Sequence, residues 1–348
     1  MNEVLFSTAK NGVATITLNR PKAINSLNHE MITSIKNMLF QWERDPAVQL
    51  IILQGAGEKG FCAGGDIKKL YQSKENETAF EGSMQFFQDE YETDQLVADF
   101  SKPILACLDG IVMGGGIGLS QGASHRIATE RTKWSMPEMN IGFFPDVGAA
   151  YFLNKAPGHL GRYLALTANV LKASDVLYAN GADAFIPSEH LTPLLEQINT
   201  IDWHKEQNQP AALDDVVQKF KSDPEEGKLA TLQRDIDKHF AYPTIEEIIN
   251  SLEADNDDFS IQTRETLLSK SVVSLKVTLR QLIEGETKSL RECLDTDLIV
   301  AANFLRSEDF YEGVRSVVID KDHNPKYIYK QLSEVSSSMV DSFFQSSY

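Results

Sequence analysis

Two short runs, VQLIIL at 48–53 and PILACL at 103–108, constrain the fold of this chain most strongly. Each is nearly continuous in apolar residues, the pattern of a strand covered on both faces, as in a parallel sheet packed between helices. Upstream, VATITL at 13–18 alternates in a strand-like period, and Asn19-Arg20-Pro21 stops it. Between these runs Met31, Ile32, Ile35, Met38, Leu39 and Trp42 recur at spacings of three and four. That spacing predicts an amphipathic helix over 28–43, with Asn28 as N-cap and Leu27 placed to staple onto Ile32. Two further short strands are expected at 125–129 and 134–136. Strands that alternate with helices through about residue 185 define an α/β core with a largely parallel sheet.

Beyond residue 190 strand signals fade, and LTPLLEQI, DDVVQKF, TIEEIINSLEA and TRETLLSKSVVSLKVTLRQLIEG carry helical periods. A length of 348 residues suits two domains, or one large domain with an appendage. The division expected here is an α/β core over 1–200 and a mostly helical region over 201–348, with SDPEEGK at 222–228 as a polar connector. The net charge of −17 argues against nucleic acid and anionic membranes as partners, since both require a basic footprint. No basic leader and no run of roughly 18 apolar residues is present, so a cytoplasmic location is expected. Cys62, Cys107 and Cys293 are odd in number and lack a CxxC spacing, which predicts reduced, buried thiols. The few histidines are scattered, so no metal site is implied.

Two glycine-rich turns stand out. Gly55-Ala-Gly57-Glu-Lys-Gly60 follows a strand and matches GxGxxG, but FCAGGD comes next where a dinucleotide fingerprint needs a helix. In DGIVMGGGIGLSQGAS, at 109–124, the glycines at 114, 115, 116, 118 and 122 would each cost a helix roughly 1 kcal/mol relative to alanine. Close backbone packing explains such a turn, and so does a backbone that must approach a ligand. AGGD and GGG, each following a strand, could place two backbone donors around one oxygen, the arrangement by which acyl-transfer enzymes stabilise an oxyanion.

A third stretch, SMPEMNIGFFPDVG at 135–148, holds Glu138 and Asp146, each directly after a proline and with Ile141, Phe143 and Phe144 between them. Acids in such apolar company are either isolated surface charges or a pair placed for chemistry.

Taken in order, ATITLNRP with Asn25 beyond it, GFCAGGDIK, KPILACLDGIVMGGGIGLS, RIATERTKWSMPE and IGFFPDVGAAYFL resemble the crotonase (enoyl-CoA hydratase/isomerase) superfamily. The resemblance implies a spiral of ββα units with a helical C-terminal region, and an acyl-CoA thioester as ligand. By position, Gly65 and Gly115 match the residues whose amides form the family's oxyanion hole, and Ala63 to Lys68 match the backbone that curls against CoA. A hydratase of this kind also carries a glutamate where this chain has Gly118. Glu138 stands at the position of the second acid, and Asp146 occupies a position where hydratases tend to have glycine.

That acid pattern, with SLKVTLRQLIEG at 274–285 and FYEGVRSVVIDKDHNPKY at 310–327, is similar to the branch of the superfamily that hydrolyses 3-hydroxyisobutyryl-CoA. The branch implies Glu90, Gly115, Glu138 and Asp146 as substrate contacts, with Glu138, Asp146, Gly65 and Gly115 catalytic. Read alone, Glu90 in QFFQDEYETDQL is an acid on a solvated helix face. The activity implied is hydrolysis of 3-hydroxyisobutyryl-CoA to 3-hydroxyisobutyrate and CoA, a step of valine catabolism, with no cofactor because CoA is part of the substrate. Three rivals are a hydratase or isomerase using Glu138 alone, a non-catalytic acyl-CoA-binding protein, and Cys62 as nucleophile with His125 or His159. For assembly, a homo-oligomer joined through the helical region and a tail folded back over the protein's own site both fit.

Overall fold

The computed structural model describes residues 2–255 and 257–346. Nine strands are found among them: β1 (Val4–Thr8), β2 (Val13–Leu18), β3 (Leu50–Gly55), β4 (Gly60–Cys62), β5 (Ile104–Leu108), β6 (Ile111–Met113), β7 (His125–Ala128), β8 (Lys133–Ser135) and β9 (Ala184–Phe185). Six of them form one sheet in the order β1-β2-β3-β5-β7-β9, and β4-β6-β8 form a second. From β2 onward the larger sheet is parallel, with Val13 opposite Leu50, Ile51 opposite Ile104 and Leu105 opposite His125, while β1 pairs antiparallel at the edge. The two apolar runs are thus β3 and β5, both central, with β5 buried throughout and β3 buried from Leu50 to Leu53, as their hydrophobicity predicts.

The amphipathic spacing at 28–43 is helix α1 (His29–Arg44), and Asn28 Oδ1 caps it by accepting from the Met31 N–H at 2.9 Å. Three further helices bear on the candidate site: α2 (Ile67–Tyr71), α3 (Glu77–Ala98) and α4 (Gly115–Gln121).

The chain folds as two compact units. The first gathers residues up to Gly65, Asp89–Trp134 and Val170–Lys228. Its core packs Val13, Leu50, Ile52, Leu105 and Ile127 of the sheet against Leu194, Ile198, Trp203, Leu213 and Val216 of the segment after β9. Burying each such side chain contributes roughly 1.5–3 kcal/mol, which is what the helical periods at 191–198 and 214–220 are for.

The second unit gathers Asp66–Gln88, Ser135–Asn169 and the chain from Leu229 onward, and it is built mainly of helices. One of its helical periods breaks where the sequence reads as continuous. The helix Asp258–Leu268 stops, and Val272–Gly285 begins afresh with Ser271 Oγ accepting from the Ser274 N–H. A serine hydroxyl competes for backbone donors, and this one also donates to Asp309 Oδ2 at 2.6 Å, which ties the break to the helix Glu308–Val314.

Candidate active site

In the first unit β4 and β6 run parallel, with Gly60 opposite Ile111 and Cys62 opposite Val112. This pairing brings together the turns that follow each strand. The AGGD turn is held by Leu27 N–H donating to Gly64 O at 2.8 Å and Ala63 N–H donating to Ile24 O at 2.9 Å. The GGG turn passes through Gly114, with φ +49°, before α4 opens at Gly115. As a first-turn residue, Gly115 has an N–H with no acceptor inside the helix.

A Cβ added at Gly115 would lie 3.4 Å from Gly65 N and would fall on Glu90 Oε1. Gly65, Gly115 and Glu90 therefore meet at one place in this unit. Glu90 is only 2% exposed, so the solvated-face reading of its helix is corrected: Tyr91 and Asp94 are buried with it. The sequence of the stretch hides this because its acids are interleaved with its apolar residues.

The GxGxxG stretch is a packing turn. It joins β3 to β4 with no helix following, and Asn25 Nδ2 donates to Ala56 O and Gly60 O at 3.0 Å each, so a buried amide pins the loop. Cys62 is fully buried beside Gly116. Burial, helped by the negative charges of Glu90 and Asp94 against a hydrogen bond from Gly64, pushes its thiol up to about 12, which disfavours the thiolate a nucleophile needs. His125 is engaged elsewhere, with Ser124 Oγ at 2.9 Å and Asp214 at 3.3 Å.

In the second unit the chain leaves β8 through Met136 and Pro137 into the short 3-10 helix Glu138–Ile141. Gly142, at φ +65°, ends it against the backbone of Asp309 and the ring of Tyr327, where any side chain would collide. Phe143 and Phe144 then anchor the segment: their centroids lie 4.6 Å apart, Phe143 stacks on Phe87 at 5.9 Å, and Phe144 stacks on Phe304 at 5.2 Å. Pro145 and Asp146 follow. Both acids are buried, Glu138 at 7% and Asp146 at 5% exposure. Glu138 Oε2 has no hydrogen-bond partner among the described residues. Burial first, and the charge of Asp146 second, push the Glu138 carboxyl well above the usual carboxylate range. The two acids of SMPEMNIGFFPDVG are thus buried inside the unit rather than surface charges, and the charge of Asp146 bears on Glu138.

Two residues that sequence reasoning missed complete this part. Asp297, fully buried in the helix Leu290–Phe304, accepts from the Gly148 N–H at 2.8 Å. Gln281 Nε2 donates to Asp297 Oδ1 at 2.7 Å and to Pro145 O at 3.0 Å. Among the described residues no three His, Cys, Asp or Glu side chains are grouped as metal ligands, and no helix is long and apolar enough to cross a membrane.

The family model for enoyl-CoA hydratase/isomerase matches residues 13–344. A relative named 3-hydroxyisobutyryl-CoA hydrolase, mitochondrial, from Mus musculus is 41% identical over 332 residues, covering 95% of this chain and 86% of its own. The protein of that name from Homo sapiens is 40% identical over 345 residues, covering 99% and 89%. Among solved structures, a carnitinyl-CoA dehydratase from Mycobacterium thermoresistibile superposes with a TM-score of 0.91 at 33% identity, covering 99% of this chain and 97% of that one. The chain belongs to the enoyl-CoA hydratase/isomerase family, with the crotonase fold. Its resemblance to the hydrolase branch extends over nearly its whole length.

Proposed function

We infer that this chain is an acyl-CoA thioester hydrolase that converts 3-hydroxyisobutyryl-CoA to 3-hydroxyisobutyrate and CoA. The observation that carries this reading is the burial of Glu138 together with Asp146, whose charge helps raise the Glu138 carboxyl, in a chain whose residue 118 is glycine. Relatives of that name at 40–41% identity support the substrate.

Thioester hydrolysis needs donors for the developing oxyanion, a group that delivers or replaces water, and a proton for the departing thiolate. Gly65 N–H and Gly115 N–H are assigned to the thioester oxygen. Glu138 is the carboxylate that acts at the carbonyl carbon, along one of two routes. As general base it takes a proton from water as the oxygen adds. As nucleophile it forms a mixed anhydride that water then opens. In both, the C–S bond breaks and CoA leaves as the thiol once protonated. Asp146 is assigned to the substrate's 3-hydroxyl or to the same water, and Glu90 to a substrate contact. Mass spectrometry of acid-quenched enzyme separates the routes, since only the second leaves an acyl group on Glu138.

CoA enters as part of the substrate, and no cofactor is required. A place in valine catabolism, a cytoplasmic location and homo-oligomerisation belong to the same reading, although the vertebrate relatives carry the word mitochondrial in their names. Fractionation tests the location and light scattering the assembly. The superposition on a dehydratase favours one second reading, a hydratase or isomerase using Glu138 alone. Thiol release measured on 3-hydroxyisobutyryl-, 3-hydroxypropionyl- and crotonyl-CoA decides: the hydrolase releases thiol fastest from the first, whereas a hydratase consumes the enoyl absorbance of the last without releasing thiol.

A further inference from the structure

The turn that carries Asp146 is strained. Ala149 N–H donates to Asp146 O at 2.9 Å, and the two residues between them, Val147 at φ +53° and Gly148 at φ +77°, are both left-handed. Glycine tolerates this conformation, but a β-branched valine does not adopt it unless its surroundings over-determine it. Val147 is buried, and the backbone on both sides of Asp146 is held by side chains from elsewhere in the unit. Asp297 takes the Gly148 N–H, Gln281 Nε2 takes the Pro145 carbonyl, and the two side chains are bonded to each other. Both Gln281 bonds are donated, and its Oε1 is buried with no partner among the described residues, so acceptors on the turn and on Asp297 dictate the orientation of this amide.

We infer that Gln281 and Asp297 are positioning residues: they clamp the Pro145–Gly148 turn in its left-handed geometry and so keep the Asp146 carboxylate in its working place. The inference rests on the assignment of Asp146 to thioester hydrolysis. Neither residue is given a contact with substrate. Asp297 also senses its neighbour, since the charge of Asp146 adds to burial in raising it while the Gly148 and Gln281 bonds oppose the rise.

The test is a double-mutant cycle read by thiol release from 3-hydroxyisobutyryl-CoA. Asp297→Asn keeps the shape but sets an amide NH2 against one of the two donors, Gly148 N–H or Gln281 Nε2, while the amide oxygen still accepts from the other, so one clamp bond is lost. Misplacing a catalytic group slightly costs an order of magnitude or more, so kcat should fall about tenfold or further while KM stays within about twofold. In an Asp146→Ala background the same change should alter kcat less than about twofold, because the clamp then has nothing to position. Wild-type kcat in folded Asp297→Asn, or an equal loss in both backgrounds, overturns the clamp. Should Asp146→Ala itself turn over normally, the assignment of Asp146 fails instead, and the clamp with it. If melting curves show Asp297→Asn to be unfolded, Gln281→Leu, which removes the bonds to Pro145 and Asp297 and leaves Asp297 on Gly148, is judged by the same cycle and the same outcomes.

Discussion

Glu138 and Asp146 lie eight positions apart, both buried, and the charge of Asp146 adds to burial in raising the Glu138 carboxyl well above its ordinary range. A carboxyl raised in this way stays protonated at pH values where exposed glutamates are ionised. Hydrolysis through ionised Glu138 must then switch on as pH rises through that elevated value, so the acid limb of kcat lies well above about 4.5. Asp146→Asn removes the charge and leaves the burial. Its acid limb should move to lower pH without reaching the exposed-glutamate range, as a pH series of thiol release on both proteins would show.

Gly115 tests the donors assigned to the oxyanion. A methyl group at this position collides with the end of the Glu90 side chain, which can swing away, so Gly115→Ala should fold normally. It would displace Glu90 and crowd the space beside Gly65 N. Alanine keeps the residue 115 N–H, so the effect expected is steric: a Cβ in the space assigned to the thioester oxygen bars it from the two donors, and kcat/KM should fall by about a hundredfold, the size of losing one such donor, with an unchanged melting temperature.

The buried acids also make stability depend on pH, with a definite sign. Burial raises Asp297 to about 8, so the folded protein holds a proton that the unfolded chain gives up near 3.8. This contribution is fully present below 3.8 and is lost as pH rises toward about 8, with a slope of at most about 1.4 kcal/mol per pH unit for one proton. The Gly148 and Gln281 bonds and Lys288 oppose the shift, while Asp146 reinforces it. Glu138 acts in the same sense. Wild-type protein should therefore lose stability to urea between pH 5 and pH 8, and Asp297→Asn should lose less over the same interval.

Cys62 sits beside the GGG turn but with its thiol pushed up to about 12. Cys62→Ala should retain kcat within about twofold, since at neutral pH almost none of such a thiol is thiolate. A loss of two orders of magnitude would restore the cysteine-nucleophile mechanism.

What could be read from sequence follows from the range of the interactions involved. β3 and β5 were legible because a strand buried on both faces must be apolar along its whole length, and the α1 cap because Asn28 and Met31 are local partners. Glu138 and Asp146 were legible as an oddity, through Phe143 and Phe144 between them. Glu90 was legible only through the family resemblance, because Gly115, the residue its carboxylate approaches, lies 25 positions away and has no side chain to signal the contact. Asp297 and Gln281 gave no signal either: the partners that make them matter, Gly148 and Pro145, lie 149 and 136 positions upstream. The break at Ser271 was missed because the apolar period runs through it, and the hydroxyl that caps the next helix is recognisable only once Asp309 is placed.

The pairing of Glu138 with Asp146 is tested most directly by following thiol release from 3-hydroxyisobutyryl-CoA alongside enoyl loss from crotonyl-CoA, in wild-type protein and in Glu138→Gln and Asp146→Ala. Wild-type protein should release thiol and leave the enoyl absorbance largely untouched. Each variant should lose about a hundred- to ten-thousand-fold in thiol release while keeping a wild-type circular dichroism spectrum. Near-wild-type thiol release by folded Asp146→Ala would contradict the pairing, and rapid enoyl loss without thiol release by the wild type would contradict the hydrolase assignment.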